Sequence, residues 1–175
     1  MPGSPAHLVR RFFDVATARP LTGSERHQVE AWLPPLLSGI FFEQPDHDQR
    51  HGHTAARAVI AAGLDHQDVV TAALMHDVGK RHARLGLIGR SVASVLILAR
   101  VRLPERIAAY RDHGLIAARE LGDVGAPALA IDFALHHHGE RPQTIPPEIW
   151  GALVAADQPS KTPGAAGGEI TSTVI

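Results

Sequence analysis

The residues best suited to chemistry in this sequence are histidines and aspartates that stand next to apolar stretches. They occur at five separate points along the chain: His51, His76-Asp77, His113, His136-His137-His138 and Asp157. Burying such polar groups costs free energy unless each is paired or coordinated. A metal ion can be a partner to several of them at once. Imidazole nitrogen and carboxylate oxygen are suitable ligands for Mn, Fe, Zn, Co, Ni or, with more water, Mg.

Other catalytic chemistries lack the residues that they need. The chain of 175 residues has no cysteine, which excludes disulfides, thiolate zinc sites, cysteine nucleophiles and iron–sulfur clusters. Position 74 is Leu where a P-loop would need glycine, and neither a G-x-S-x-G nor an H-E-x-x-H pattern occurs. The histidine and aspartate set therefore remains the main candidate for a functional site.

The charge and hydropathy of the chain narrow the range of partners. The formal net charge is -1, whereas bulk electrostatic binding of nucleic acid needs a basic excess. The most apolar stretch, 91–99, has nine residues, and a membrane span needs about 20. The opening residues 1–6 lack the pattern of a signal peptide. We expect no nucleic-acid partner, no membrane span and a cytoplasmic location.

The hydrophobic pattern is helical along almost the whole chain, and no alternating run predicts a strand. Thr22, Ser24 and Asp65 are candidate N-caps, Gly63 is a candidate C-cap, and a break is expected near 112–114. The sequence predicts an all-α, single-domain fold. The predicted helices cover 4–16, 22–33, 36–42, 45–62, 65–77, 91–101, 104–121, 127–138 and 146–157.

His76 and Asp77 are adjacent in the chain, which limits how both side chains can contribute to one metal site. Consecutive residues of a regular helix diverge by about 100°, so both side chains can reach one metal only near a helix end. Gly79 is predicted to end the helix there. Asp77 has two oxygens and can bridge two metal ions.

Three stretches resemble the HD-domain metal-dependent phosphohydrolase superfamily. They are Arg50-His51, the run AALMHDVGK over 72–80, and Ala155-Ala156-Asp157. The resemblance extends over about residues 45–160. It implies a helical bundle of the HD-domain type, with a catalytic domain over 45–158. Residues 1–44 would be a helical extension packed on that core, and 159–175 a disordered tail.

The resemblance also implies a ligand set and a reaction. His51, His76, Asp77 and Asp157 would bind one divalent metal ion. His113-Gly114 and the cluster at 136–138 are similar to the two extra histidines of members with a second metal, which His113, His137 and bridging Asp77 would bind. The implied reaction is hydrolysis of a phosphomonoester or phosphodiester of a nucleotide-like small molecule by metal-bound hydroxide.

Asp77 and Lys80 are the residues to which we assign catalytic roles. Lys80 could reach the phosphate and neutralise charge that develops in the transition state, with Arg81 as a further cation. A His-Asp-x-x-Glu pattern would resemble the guanosine-polyphosphate hydrolases. Lys80 stands where that pattern has Glu, which disfavours a guanosine polyphosphate as the substrate.

Several alternatives stay open at the level of sequence. His47 competes with His51, since the two have i,i+4 spacing and could form a surface pair. His138 is the alternative to His137, because consecutive helical residues cannot all face one pocket. The number of metal ions, one or two, and their identity are open. The alternative function is a non-catalytic module that senses a nucleotide or a metal.

Overall fold

A computed structural model of the chain describes residues 19–83, 85, 89 and 104–158. Across these residues the protein is all-helical, which confirms the predicted fold class. The described residues form eight α-helices: α1 (Gly23–Trp32), α2 (Pro35–Phe42), α3 (Asp46–Ala61), α4 (Gln67–Met75), α5 (Glu105–Arg111), α6 (His113–Asp123), α7 (Ala128–His136) and α8 (Pro147–Asp157). A 3₁₀ helix (Val78–Ala83) follows α4. The helices predicted over 4–16 and 91–101, and the predicted tail 159–175, lie outside the described residues.

The first helix begins where the polar sequence predicts it. Thr22 is the N-cap, and its side chain accepts a hydrogen bond from the Glu25 backbone while the Glu25 carboxylate accepts one from the Thr22 backbone. This reciprocal capping box satisfies two donors that a helix start leaves without partners. Helix α1 ends at Trp32, before Pro34-Pro35, and α2 begins at Pro35 as a separate helix.

Two helix ends differ from their predicted positions around the His76-Asp77 doublet. The N-cap of α4 is His66 and not the predicted Asp65. Helix α4 ends at Met75, so the prediction that Gly79 ends it is wrong. Gly79 lies inside the 3₁₀ helix, and among the described glycines only Gly63 and Gly125 have positive φ.

The second half of the chain follows the predicted breaks. The expected interruption near 112–114 divides α5 from α6 at Asp112. Helix α7 ends at His136, two residues before the predicted end at 138, and α8 starts with Pro147 in its first turn. Proline suits that position because its missing N–H would have no partner inside the helix.

Helix α4 runs through the centre of the fold. All of its residues from Val69 to Met75 are buried, and it packs against α3, α7 and α8. Val29 of α1 and Phe41 of α2 enter the same core, so the helices of the predicted N-terminal extension share it. Because α4 is buried on every side, its end delivers the next two residues, His76 and Asp77, into the interior. None of the described helices is long and apolar enough to cross a membrane.

Candidate metal centre

His76 and Asp77 lie in the turn that follows α4, and both are buried. Their side chains are 1% and 4% exposed. The chain leaves α-helical geometry after Met75, so the two consecutive side chains reach one site, as the sequence required. Oδ2 of Asp77 lies 3.5 Å from Nε2 of His76. The doublet therefore forms the centre of the site.

A first group of ligand-type atoms forms around the doublet from two other helices. His51 comes from the middle of α3 and Asp157 is the last residue of α8. Oδ1 of Asp157 lies 2.9 Å from Nε2 of His51 and 3.1 Å from Nε2 of His76. Together with Asp77, these are the four residues predicted to bind the first metal, and their ligand-type atoms lie within 4.8 Å of one another.

A second group forms on the opposite side of Asp77. His113 is the first residue of α6, and His137 directly follows α7. Their Nε2 atoms are 3.3 Å apart, and they lie 3.3 and 3.5 Å from Oδ1 of Asp77. The exposed imidazole of His138 offers a fourth ligand-type atom within the same 4.8 Å limit.

Asp77 is the residue that the two groups share. Its Oδ2 faces His51, at 3.8 Å, and His76, whereas its Oδ1 faces His113 and His137. A carboxylate placed in this way can contribute one oxygen to each of two cations.

Backbone carbonyls hold three of the imidazoles in one orientation. Nδ1 of His76 lies 3.0 Å from the Ala73 carbonyl, and Nδ1 of His137 lies 2.9 Å from that of Ala134. Nδ1 of His113 lies 2.7 Å from the carbonyl three residues before it in the same way. A carbonyl only accepts, so each Nδ1 donates its proton, and in the neutral tautomer each Nε2 directs a lone pair into the site. These carbonyl contacts were not predicted from the sequence, although the spacing of three residues at a helix end is a readable signal.

The arrangement of these lone pairs is one that a bound cation would satisfy. In this tautomer the Nε2 atoms of His113 and His137 carry no proton. They therefore cannot donate a hydrogen bond to each other or to Asp77. Oδ1 of Asp77 is buried and has no hydrogen-bond partner among the described residues. A cation would satisfy the nitrogens and the orphaned oxygen together. Nitrogen and oxygen donors without a thiolate match the metals that the sequence predicts.

The carboxylates are held in their charged forms. Burial alone raises the pKa of Asp77, but the charges of Lys80 and His76 outweigh it and hold that pKa well below its usual range. Burial also raises the pKa of Asp157, and hydrogen bonds from His51 and His76 overcome it and hold that pKa far below normal. A proton on Nε2 makes either histidine such a donor, and metal binding would release that proton.

The two cations predicted to assist phosphate binding have other partners here. Lys80 is buried, with 7% of its side chain exposed, and donates a hydrogen bond to Oδ2 of Asp77. Burial lowers the pKa of Lys80, but the Asp77 charge outweighs that effect and raises it. Arg81 donates to Glu120 on α6 and, at 3.1 Å, to Glu43. Arg81 thereby ties the 3₁₀ helix to α6.

Two glycines allow the backbones around the second group to approach closely. A Cβ on Gly79 would overlap the carbonyl oxygen of His113, and a Cβ on Gly114 would lie 2.6 Å from that of Ala134. Such distances are too short for any real Cβ. Gly79 thus lets the 3₁₀ helix meet α6, and Gly114 lets α6 meet α7. These two crossings bring Asp77, His113 and His137 together.

The positions of the histidines in the structure distinguish between the alternative ligands that the sequence left open. His47 belongs to neither group, and its Nε2 lies 3.4 Å from Oδ1 of Asp48. His51, in contrast, is in the first group. His137 is buried in the second group, and His138 joins it from the exposed side. Desolvation and the neighbouring His137 and His113 lower the pKa of His138 to about 3. His136 belongs to neither group.

Arg50, part of one of the resembling stretches, does not face the centre. Its Nη2 donates to a carboxylate oxygen of Glu25 at 2.9 Å and to the Pro20 carbonyl at 2.7 Å. Arg50 therefore joins α3 to the start of α1, a structural contact that the sequence did not predict.

The first group is accessible from solvent at one edge. The side chains of His51 and Asp157 are 33% and 25% exposed, whereas His76 and Asp77 are almost fully covered. A ligand can reach the first group from the side of His51 and Asp157. The arrangement combines buried, oriented donors with an open side, which is typical of a site that binds a further molecule.

Comparisons of the chain with family models, with curated proteins and with solved structures give no match. The structure itself establishes a helical protein with two buried His/Asp groups that could hold metal ions. That arrangement is compatible with an HD domain.

Proposed function

We propose that this protein is a metal-dependent phosphohydrolase of the HD-domain type, acting on a phosphomonoester or phosphodiester of a small molecule. The observation that carries the proposal is the division of Asp77 between two histidine groups. Its two oxygens face opposite sides, and three of the four flanking histidines direct an oriented Nε2 at the site. Two groups of ligand-type atoms on opposite sides of one carboxylate suit two cations about 3.5–4 Å apart.

The residues of the chain have distinct roles in the proposed reaction. His51, His76 and Asp157 would hold a cation with Oδ2 of Asp77, and His113 with His137 would hold another with Oδ1. When bound, divalent cations polarise a phosphoryl oxygen and lower the pKa of coordinated water towards about 7. The Nδ1 contacts keep three of the imidazoles aimed at the site, so the site needs little reorganisation. Because no cysteine is present and water suffices, no protein nucleophile is required.

Lys80 is proposed to act after the cations bind. Its ammonium group lies on Oδ2 of Asp77 in the structure, an oxygen that the first cation would use. With that oxygen engaged by a bound cation, the ammonium group of the buried lysine would be free to donate to a phosphate oxygen. Charge-assisted donors in a site of low dielectric stabilise developing negative charge strongly.

The same ion pair supports a second candidate, a metal- or nucleotide-sensing module without turnover. If the ammonium of Lys80 stays on Asp77, only the second group takes a cation. One bound cation and no hydrolysis would then be expected, in contrast to two cations with turnover.

The deciding experiment combines metal analysis with a hydrolysis assay on protein purified without a histidine tag. Aryl phosphate and bis-aryl phosphate would be supplied with Mn²⁺ or Ni²⁺. Hydrolysis by the wild type that is lost in His76→Ala and Asp77→Ala, but retained in His27→Ala, supports the proposal. His27 is a suitable control because it is 85% exposed and remote from both groups.

The proposal would be abandoned on a clear negative result. That result is a wild type inert with every metal, together with His76→Ala and Asp77→Ala variants whose metal content and stability equal those of the wild type.

A further inference from the structure

A cavity of about 210 Å³ opens beside the second histidine group, where α6 crosses α7. His137 and His138 form one side of it. Both also belong to the group that includes Asp77 and His113. A molecule held at that group would therefore extend directly into this cavity.

Part of the lining of the cavity is apolar. Leu115 of α6 and Leu135 of α7 line it, and they are 43% and 42% exposed. Single exposed leucines are common on protein surfaces and need no explanation. Here, however, two of the three exposed large hydrophobic residues in the described part of the chain line the same cavity as two candidate ligands. That placement indicates a contact surface for an apolar group.

The charges that line the cavity are already paired. Nε and Nη2 of Arg111 donate to the two carboxylate oxygens of Asp112 at 2.7 and 2.8 Å. Such a two-pronged pair satisfies the planar guanidinium and leaves its charge compensated. A second phosphate would have to break this pair, whereas an uncharged group can contact the leucines without any such cost.

The size of the cavity limits what it can hold. Pockets for drug-sized ligands have about 300–1,000 Å³, more than is present here. An apolar cavity of about 150 Å³ accommodates benzene. A space of about 210 Å³ therefore suits one ring or a short hydrocarbon chain.

We infer that this cavity binds the small, uncharged apolar group that the phosphoester carries, with Leu115 and Leu135 as its specificity-determining contacts. The inference rests on the proposed function for the position of the phosphoryl group. It narrows the substrate class to esters whose organic part near the phosphate is apolar and about one ring in size.

The test uses two phosphonates that differ only in their apolar part. Binding of phenylphosphonate and methylphosphonate to Mn²⁺-loaded protein would be measured by titration calorimetry, so the readout is independent of turnover. We expect the wild type to bind phenylphosphonate about tenfold more tightly, the effect of partly burying a ring. In Leu115→Asn and Leu135→Asn this preference should fall below about threefold, with methylphosphonate affinity unchanged.

Leu36→Asn is the matched control, because Leu36 is an exposed leucine, 59% exposed, and does not line the cavity. It should retain the full preference, and thermal unfolding should show that all three variants are folded.

The possible outcomes separate the inference from the proposed function. Equal binding of both phosphonates by the wild type, or a preference that survives both leucine variants, overturns the inference and leaves the hydrolase intact. Failure of both phosphonates to bind overturns the inference, and the hydrolysis assay with metal analysis then decides separately on the hydrolase. A leucine-dependent preference without hydrolysis of any ester supports the cavity and contradicts the hydrolase.

Discussion

Lys80 donates a hydrogen bond to Oδ2 of Asp77, the oxygen that also lies 3.5 Å from Nε2 of His76. One carboxylate oxygen thus meets the ammonium group of a buried lysine at the position where the first cation would bind. In the absence of that cation, the lysine compensates a charge that burial would otherwise make costly. The same contact places lysine and metal in competition.

The first prediction follows from this competition. Lys80→Met leaves Asp77 buried without its partner, so the metal-free protein should lose about 3–5 kcal/mol of unfolding free energy. Added Mn²⁺ should raise the melting temperature of Lys80→Met more than that of the wild type, because the cation replaces the missing charge. Hydrolysis should fall by about 100-fold or more if the lysine stabilises the transition state. Equal metal-induced shifts in both proteins would contradict the competition.

The second prediction concerns how many metal ions bind. Native mass spectrometry should find two per wild-type chain, one in His113→Ala, one in His51→Ala and none in Asp77→Asn. The reason is that each histidine belongs to one group, whereas Asp77 belongs to both. His27→Ala should keep both ions. A variant Asp77→Asn that retains two ions would show that Asp77 does not bridge them.

The third prediction tests the crossing of α6 and α7 with two glycines of the same helix. Gly114→Ala should lower the unfolding free energy by about 1–3 kcal/mol, because its Cβ would lie 2.6 Å from the Ala134 carbonyl oxygen. It should also weaken metal binding at His113 and His137. Gly122→Ala meets no atom within 4 Å and should stabilise α6 by about 0.5–1 kcal/mol. Chemical denaturation and metal titration of both variants measure these effects, and equal stabilities would contradict the close approach.

The fourth prediction concerns the dependence of stability on pH. The hydrogen bond from Arg50 is the largest cause that lowers the pKa of Glu25 from 4.5 to about 2. A depressed carboxyl pKa stabilises the fold above the unfolded value, so this contribution is complete above pH 4.5 and is lost as the pH falls towards 2. Glu25→Gln should therefore cost about 1–2 kcal/mol at pH 7, and progressively less in acid.

The measurement for this prediction is urea denaturation of wild type and Glu25→Gln between pH 7 and pH 3. Glu30→Gln serves as control, since Glu30 forms an exposed pair with His27 and the change should alter stability by less than about 0.5 kcal/mol. A difference between wild type and Glu25→Gln that stays constant with pH would show that the Arg50 contact does not depend on the charge of Glu25.

Local pattern was enough to predict the helices in the part of the chain that the structure describes and to single out the candidate ligands. Thr22 with Glu25 caps a helix through contacts within four residues, and the proline pairs mark helix ends through steric effects of their own rings. His76 and Asp77 were conspicuous because ionisable groups directly follow an apolar helical run. Such information is carried by neighbours in the chain, so it can be read without the fold.

The partners of those side chains depended on the tertiary structure. Arg50 stands beside His51 in the chain but contacts Glu25 of α1, and Lys80 contacts Asp77 where the sequence suggested a phosphate. The role of Gly79 changed from a helix end to a close contact with α6. Long side chains can reach in several directions, and a glycine can serve several purposes. Only the packing of α3, α4, α6, α7 and α8 around one buried carboxylate decides between these possibilities.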